Sequence, residues 1–240
     1  MSTRQVARRL GESLGVAVIV ENRPSVNLLI GTRHVAASAP DGYTLLAISN
    51  TFIGAAVFTD DAGYDPFRDF VAIAPTARGP NVLLVNAASG IRSVGDLVEQ
   101  ARRSSGRPLA FGSAGVGSSP HVAAVVLARA TGIELLDVPY RGAAPALLDL
   151  VGGRITMLFD SVSSARPHLA SGALVPLAVT TARRSTLLPD VPTVAEALNL
   201  PAYDLPLFYG IAAPARTPPP VVTALHLSLI HISEPTRQRQ

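Results

Sequence analysis

The feature that most constrains this 240-residue chain is the alternation of two hydrophobic periods along it. Short runs rich in Val, Ile, Leu and Phe, bounded by Gly, Pro, Asn and Asp, read as strands. Between them, apolar residues recur every three or four positions and read as helices. Val6, Leu10 and Leu14 lie at helical spacing, with Gly15 as a stop. VAVIVENRP (16–24) then reads as a buried strand, 35–39 as a short helical piece halted by Pro40-Asp41-Gly42, and YTLLAISN (43–50) as the next strand. Helix, strand, helix, strand is the rhythm of a parallel α/β sheet.

FVAIAP (70–75) and NVLLVN (81–86) follow as apolar runs, and Ser93 with Asp96 three residues on predicts a capped helix over 96–104. The alternation then continues through strand 108–113, helix 121–132, strand 135–140, helix 145–153 and strand 154–160. A short helical piece at 164–172 precedes strand 174–180, Thr193 and Glu196 form a second capping box, and 206–214 is again extended. Two such blocks, with the last strand returning toward the first, predict two lobes around a cleft. The expected boundaries are 1–85 with 207–226 for the first lobe and 86–206 for the second.

Composition removes several chemistries. Hydrophobic residues are 48% and charged residues 15%, which favours a packed core over disorder. All 20 basic residues are Arg, so no lysine can act as a Schiff base or general base. A formal charge of +3 with 5% aromatics is not the footprint of a nucleic-acid binder. There is no cysteine, and the five histidines show no HxxxH or HxH spacing, so neither a metal nor another cofactor is expected. No apolar run reaches the length of a membrane-crossing helix.

The string FGSAGVGSSPH (111–121) carries the chemistry. Gly112, Gly115 and Gly117 let the backbone bend and approach a ligand closely, while Ser113, Ser118 and Ser119 add hydroxyls. With Pro120 in the first helical position, Ser119 is the expected N-cap. Free N–H groups at a helix N-terminus form an anion site that needs no lysine. An ordinary strand-to-helix turn uses the same residues, so the string by itself leaves both readings open. It matches neither a dinucleotide loop, since Pro120 stands where the third glycine belongs, nor a nucleophile elbow, since Phe111 precedes Gly112-Ser113. Ser49, Asn50 and Thr51, and likewise Asp160 and Ser161, stand at strand ends, where parallel sheets bind ligands. A carboxylate at Asp160 would repel an anion, so it is expected to orient loop N–H groups or to accept from a ligand amine.

Eight strings in order resemble the receptors of tripartite tricarboxylate transporters, the Bug receptors. They are VENRP (20–24), APDGYTLL (39–46), NVLLVN (81–86), GSSPHVA (117–123), VPYRGAAPALLDLVGG (138–153), MLFD (157–160), LAVTTARRS (177–185) and LPDVPTVAEA (188–197). The resemblance implies a two-lobed periplasmic binding protein of the type II, Venus-flytrap class. It implies parallel or mixed sheets flanked by helices, and no enzymatic activity. The implied role is to capture a small carboxylate, as a monomer in the periplasm, and to hand it to the permease subunits of the transporter. Ser49, Asn50, Thr51, Ser113, Gly115, Gly117, Ser118, Ser119, Asp160 and Ser161 are the expected ligand contacts. The alternatives are a hydrolase using Ser113 or Ser118 with His121, and an extracytoplasmic sensing domain.

Three departures stand beside the resemblance. The resemblance implies an opening strand and a Pro/Gly-rich loop, with a signal peptide upstream, before the helix that here begins near Thr3, so the first lobe is expected to be incomplete. After VENRP, the chain reads Ser25-Val26-Asn27-Leu28-Leu29-Ile30 where the family continues in glycines, which would strain any backbone needing positive φ. LSLIHISEPTR (227–237) resembles the in-frame translation of a transposon-end sequencing adapter, so 227–240 is expected to be a non-native tail and the chain a fragment whose ligand binding is impaired.

Overall fold

The computed structural model describes residues 3–23, 25, 28–104 and 106–233. The chain divides into two compact units, Met1–Arg78 with Phe208–Gln240, and Gly79–Leu207.

In the first unit, helix α1 (Thr3–Leu14) is amphipathic and buries Val6, Ala7 and Leu10. Next come α2 (Leu29–Ala36), β1 (Leu46–Ser49), α3 (Asn50–Phe58) and β2 (Phe70–Gly79). The unit closes with β8 (Leu207–Pro214) and α9 (Pro219–Ser233). Among the described residues its strands form one sheet in the order β1-β8-β2, and β1 runs antiparallel to β8 with Ser49 opposite Tyr209. One core joins Val6 and Leu10 to Ile73, Ile211, Ala213, Leu225 and Leu229. A second collects Val35, Phe52, Tyr64 and Phe70. Its three aromatic rings pack as one stacked and two edge-to-face pairs, and the Tyr64 hydroxyl donates to Phe52 O at 2.6 Å.

Three expectations change here. The run at 16–24 forms no strand over its described residues, and Ile19 is 87% exposed. Its β-branched residues favour extension, but a strand also requires a neighbour to hydrogen-bond, and none of the described strands pairs with it. The strand expected over 43–50 shrinks to four residues, with Asn50 and Thr51 already in α3, and its neighbour is antiparallel rather than parallel. The helix expected over 35–39 lies earlier, at Leu29–Ala36. In the segment from 227 onward, α9 continues to Ser233 and Leu229 is buried, while 234–240 lie outside the described residues.

The second unit contains β3 (Asn81–Asn86), a 3-10 turn at Ala87–Ser89, α4 (Val94–Arg103), β4 (Leu109–Ser113) and α5 (Ser119–Thr131). There follow β5 (Leu135–Pro139), α6 (Ala143–Val151), β6 (Met157–Ser161), α7 (Val162–Ala170), β7 (Leu174–Val179) and α8 (Val194–Leu198). The sheet order is β5-β4-β6-β3-β7, with β4 parallel to both β5 and β6, and β3 antiparallel to β6 and β7. NVLLVN, expected to close the first lobe, therefore lies inside the second sheet. Side chains on a strand alternate between faces. Leu83 and Val85 accordingly enter the core with Leu97, Phe111, Leu127 and Phe159, whereas Val82 and Leu84 enter the opposite core with Leu147, Leu150 and Leu158. Both capping boxes form: Ser93 with Asp96 heads α4, and Thr193 with Glu196 heads α8. On edge strand β5, Asp137 buries an Oδ1 that has no partner among the described residues, a charge that discourages a further strand from adding there.

Leu28, at the N-cap of α2, is left-handed with φ 61°. This is the kind of strain expected where a side chain stands in place of glycine, and it costs roughly 1–2 kcal/mol. Leu28→Gly is expected to stabilise the chain by about 1 kcal/mol once the greater freedom of unfolded glycine is subtracted. Gly112 is the opposite case, because an added Cβ would lie 2.9 Å from Ile155 Cδ1 and 3.3 Å from Ala146 Cβ. Gly112→Ala is expected to cost about 1–3 kcal/mol by overpacking α6 against β4. Urea unfolding of the two variants measures both effects.

Candidate functional site

Strands β4, β5 and β6 run in one direction, and each leads from its carboxyl end into a helix: β4 to α5, β5 to α6, β6 to α7. Three helix N-termini, with their partial positive charge and N–H groups lacking intrahelical acceptors, thus gather at one end of the sheet. Strand β3, being antiparallel, starts at this same end, where Asn81 stands opposite Ser161.

The β4–α5 turn shows a consistent polarity. Gly115 and Gly117 take φ of 100° and 82°, conformations that β-carbons disfavour. Ser113 Oγ accepts the Gly115 N–H at 3.1 Å, Ser118 Oγ accepts the Ala114 N–H at 3.2 Å, and Ser119 Oγ accepts Asn81 Nδ2 at 3.2 Å. Each hydroxyl oxygen accepts one N–H, and among the described residues none of the three is seen to donate its own proton, which is left to give. Ser113 and Ser118 are buried and Ser119 is half-buried. Contrary to expectation, Ser118 rather than Ser119 occupies the N-cap, with Pro120 one position further into the helix. The Ser118 side chain makes no capping bond because it folds back on the turn at Ala114. His121 Nδ1 accepts the Gly117 N–H at 3.4 Å, which ties the first turn of α5 back to the β4–α5 turn.

The β6–α7 turn adds a carboxylate acceptor. Asp160 Oδ1 accepts the Ser161 N–H at 2.7 Å and Oδ2 accepts the Ser164 hydroxyl at 2.8 Å. Ser161 Oγ caps α7 by accepting the Ser164 N–H at 3.2 Å. Burial pushes the Asp160 carboxyl above the usual carboxylate range, against the pull of the Ser164 hydroxyl and the Ser161 N–H. Between the two turns, Tyr140 N–H donates to Ser113 O at 2.8 Å, and the Tyr140 hydroxyl to Asp149 Oδ2 at 2.8 Å. The Tyr140 hydroxyl and then the Arg154 guanidinium hold Asp149 below the usual carboxylate range, which braces the loop leading into α6.

The second unit thus brings Ser113, Gly115, Gly117, Ser118, Ser119, Asp160 and Ser161 to one sheet end. Ser49, Asn50 and Thr51 lie in the first unit at the β1–α3 junction. Ser49 is the N-cap of α3 without a side-chain capping bond, and Asn50 Oδ1 accepts the Phe208 N–H at 2.9 Å, tying α3 to the start of β8. Sequence reasoning missed Asn81, which is only 2% exposed. Its N–H donates to Thr180 Oγ1 at 3.0 Å and its carbonyl accepts the Thr180 N–H at 3.0 Å. Asn81 opens a recognised strand, but its partners lie 38 and 99 residues away, beyond any local pattern.

The sequence model of the tripartite tricarboxylate transporter family receptor matches residues 2–236. The chain belongs to this receptor family. Among its relatives, the UPF0065 protein in the tcbD-tcbE intergenic region of Pseudomonas sp. (strain P51) is 40% identical over 226 residues, covering 94% of this chain and 67% of the relative. R. palustris Rpa4515, solved with adipate, superposes with a TM-score of 0.86 at 35% identity, covering 95% of this chain and 76% of the other. MatC (Rpa3494) from Rhodopseudomonas palustris, with bound malate, gives 0.86 at 27% identity over 95% and 77%. The periplasmic binding protein BugD gives 0.83 at 31% identity over 94% and 75%. The receptor has the mixed α/β, two-lobed fold of periplasmic binding proteins, as the resemblance implied.

The raised Asp160 carboxyl generates a pH prediction. Between the unfolded value, about 3.9, and the higher folded one, the folded state holds more protons than the unfolded state. The contribution of Asp160 to stability therefore falls as pH rises through that window and stays unfavourable above it. In urea unfolding from pH 3 to 7, Asp160→Asn is expected to gain on the parent as pH rises. A difference that stays flat would contradict the burial of the charge.

Proposed function

We propose that this receptor captures a small carboxylate at the β4–α5 turn of its second unit and delivers it, as a periplasmic monomer, to the permease subunits of a tripartite transporter. The observation that carries the reading is the shared polarity of three serines. The hydroxyl oxygens of Ser113, Ser118 and Ser119 each accept from a protein N–H, so all three have protons to give. A carboxylate is acceptor-only and needs such donors. The positive end of α5 adds a favourable field, and Gly115 and Gly117 let the backbone approach closely. The adipate and malate held by the two R. palustris relatives belong to the same chemical class.

Asp160 and Ser161 complete the proposed site in a different role. The acceptor character of the Asp160 carboxyl suits a hydroxyl or amine elsewhere on the ligand and disfavours a second carboxylate beside it. A binding role rather than a catalytic one is supported by the family.

Thermal unfolding in the presence of dicarboxylates, hydroxy acids, aromatic acids and amino acids tests the reading. A cognate acid at 100 times its Kd is expected to stabilise the chain by about 2.7 kcal/mol and to be recovered unchanged. Gly117→Ala, which places a β-carbon at φ 82°, is expected to weaken binding at least about tenfold by deforming the turn. Turnover of an ester or amide in the same panel, without stabilisation, would instead support a hydrolase.

A further inference from the structure

We infer that Asn81 is a positioning residue that sets the charge preference of the site, by dictating which way the Ser119 hydroxyl points. The inference rests on the carboxylate reading above and adds a residue that touches no ligand in it. A serine hydroxyl donates one proton and can point it wherever an acceptor lies. At Ser119 the neighbour across the sheet end is the Asn81 side-chain amide, which presents Nδ2 and donates to the oxygen at 3.2 Å. With an N–H directed at it, the oxygen cannot send its own proton back along the same line, so Ser119 becomes a donor toward the turn.

Asn81 can enforce this because it has little freedom. It is 2% exposed, and its backbone is held on both sides by Thr180, itself fully buried. The Asn81 N–H donates to Thr180 Oγ1 and its carbonyl accepts the Thr180 N–H, each at 3.0 Å. Strand pairing adds a second constraint, since Asn81 stands opposite Ser161 on β6. The residue therefore links β3, β6, the end of β7 and the first turn of α5. An aspartate has the same shape and the opposite hydrogen-bonding sense. In its place, the Ser119 proton would turn toward residue 81, which would withdraw one donor from the turn and add a negative charge behind it.

Asn81→Asp in the full chain is the direct test, with adipate and its neutral diamide, adipamide, as probes in isothermal titration. The parent is expected to prefer adipate, and the variant to lose about tenfold or more of that preference. A residue with only a packing role would weaken both probes alike, so equal losses would overturn the inference, as would an unchanged preference. If Asn81→Asp does not fold, Ser119→Ala carries the test. Deleting the hydroxyl is expected to lower adipate affinity about fivefold, and Asn81→Ala added to it should lower the affinity no further, because Asn81 acts through that hydroxyl. An independent additional loss would overturn the inference. A parent chain that binds no acid of the wider panel would instead sink the carboxylate reading itself, and is distinguishable from a parent that binds and a variant that does not differ.

Discussion

The second unit depends on β3 being paired on both edges and covered on both faces. Val82, Leu83, Leu84 and Val85 have no exposed surface, and the strand lies between β6 and β7. Four fully buried aliphatic side chains contribute on the order of 1.5–3 kcal/mol each. Their strict alternation divides the unit into the core under α4 and α5 and the core under α6 and α7. Because β3 cannot slip by one residue without exchanging those cores, its first residue is held in register as firmly as its middle. The Thr180 bonds, the face opposite Ser161 and the contact with Ser119 all inherit that precision.

Much of the second unit was legible because its signals are local. A capping box needs residues three apart, and both Ser93 with Asp96 and Thr193 with Glu196 form as the spacing implies. The β4–α5 turn is crowded with glycine, serine and proline, so its position was plain even though the N-cap moved from Ser119 to Ser118. What escaped was set by distant partners. Asn81 looked like the first residue of an ordinary strand, and only the fold brings it to Ser119 and Thr180.

The first unit was harder to read for the same reason. Its β-branched run at 16–24 has strand composition, but composition cannot supply a hydrogen-bonding neighbour, and no described strand pairs with it. Asn50 and Thr51 looked like a strand end and instead begin α3, where the Asn50 side-chain Oδ1 accepts the Phe208 N–H. The one local signal of strain was sound: a bulky residue where a glycine is expected became Leu28 in a left-handed conformation.

The polarity of the β4–α5 turn also bears on the medium in which a receptor works. The groups that build this turn, three hydroxyls and the amides around them, carry no net charge. On the carboxylate reading, an anion there would be held by dipoles at contact distance rather than by a distant field. Dissolved ions screen charges across roughly 8 Å of solution at physiological strength, but they cannot come between a carboxylate and a hydroxyl that touches it. Capture of this kind would vary little between fresh and saline water. It would also leave no strong ion pair to break when the cargo is passed on.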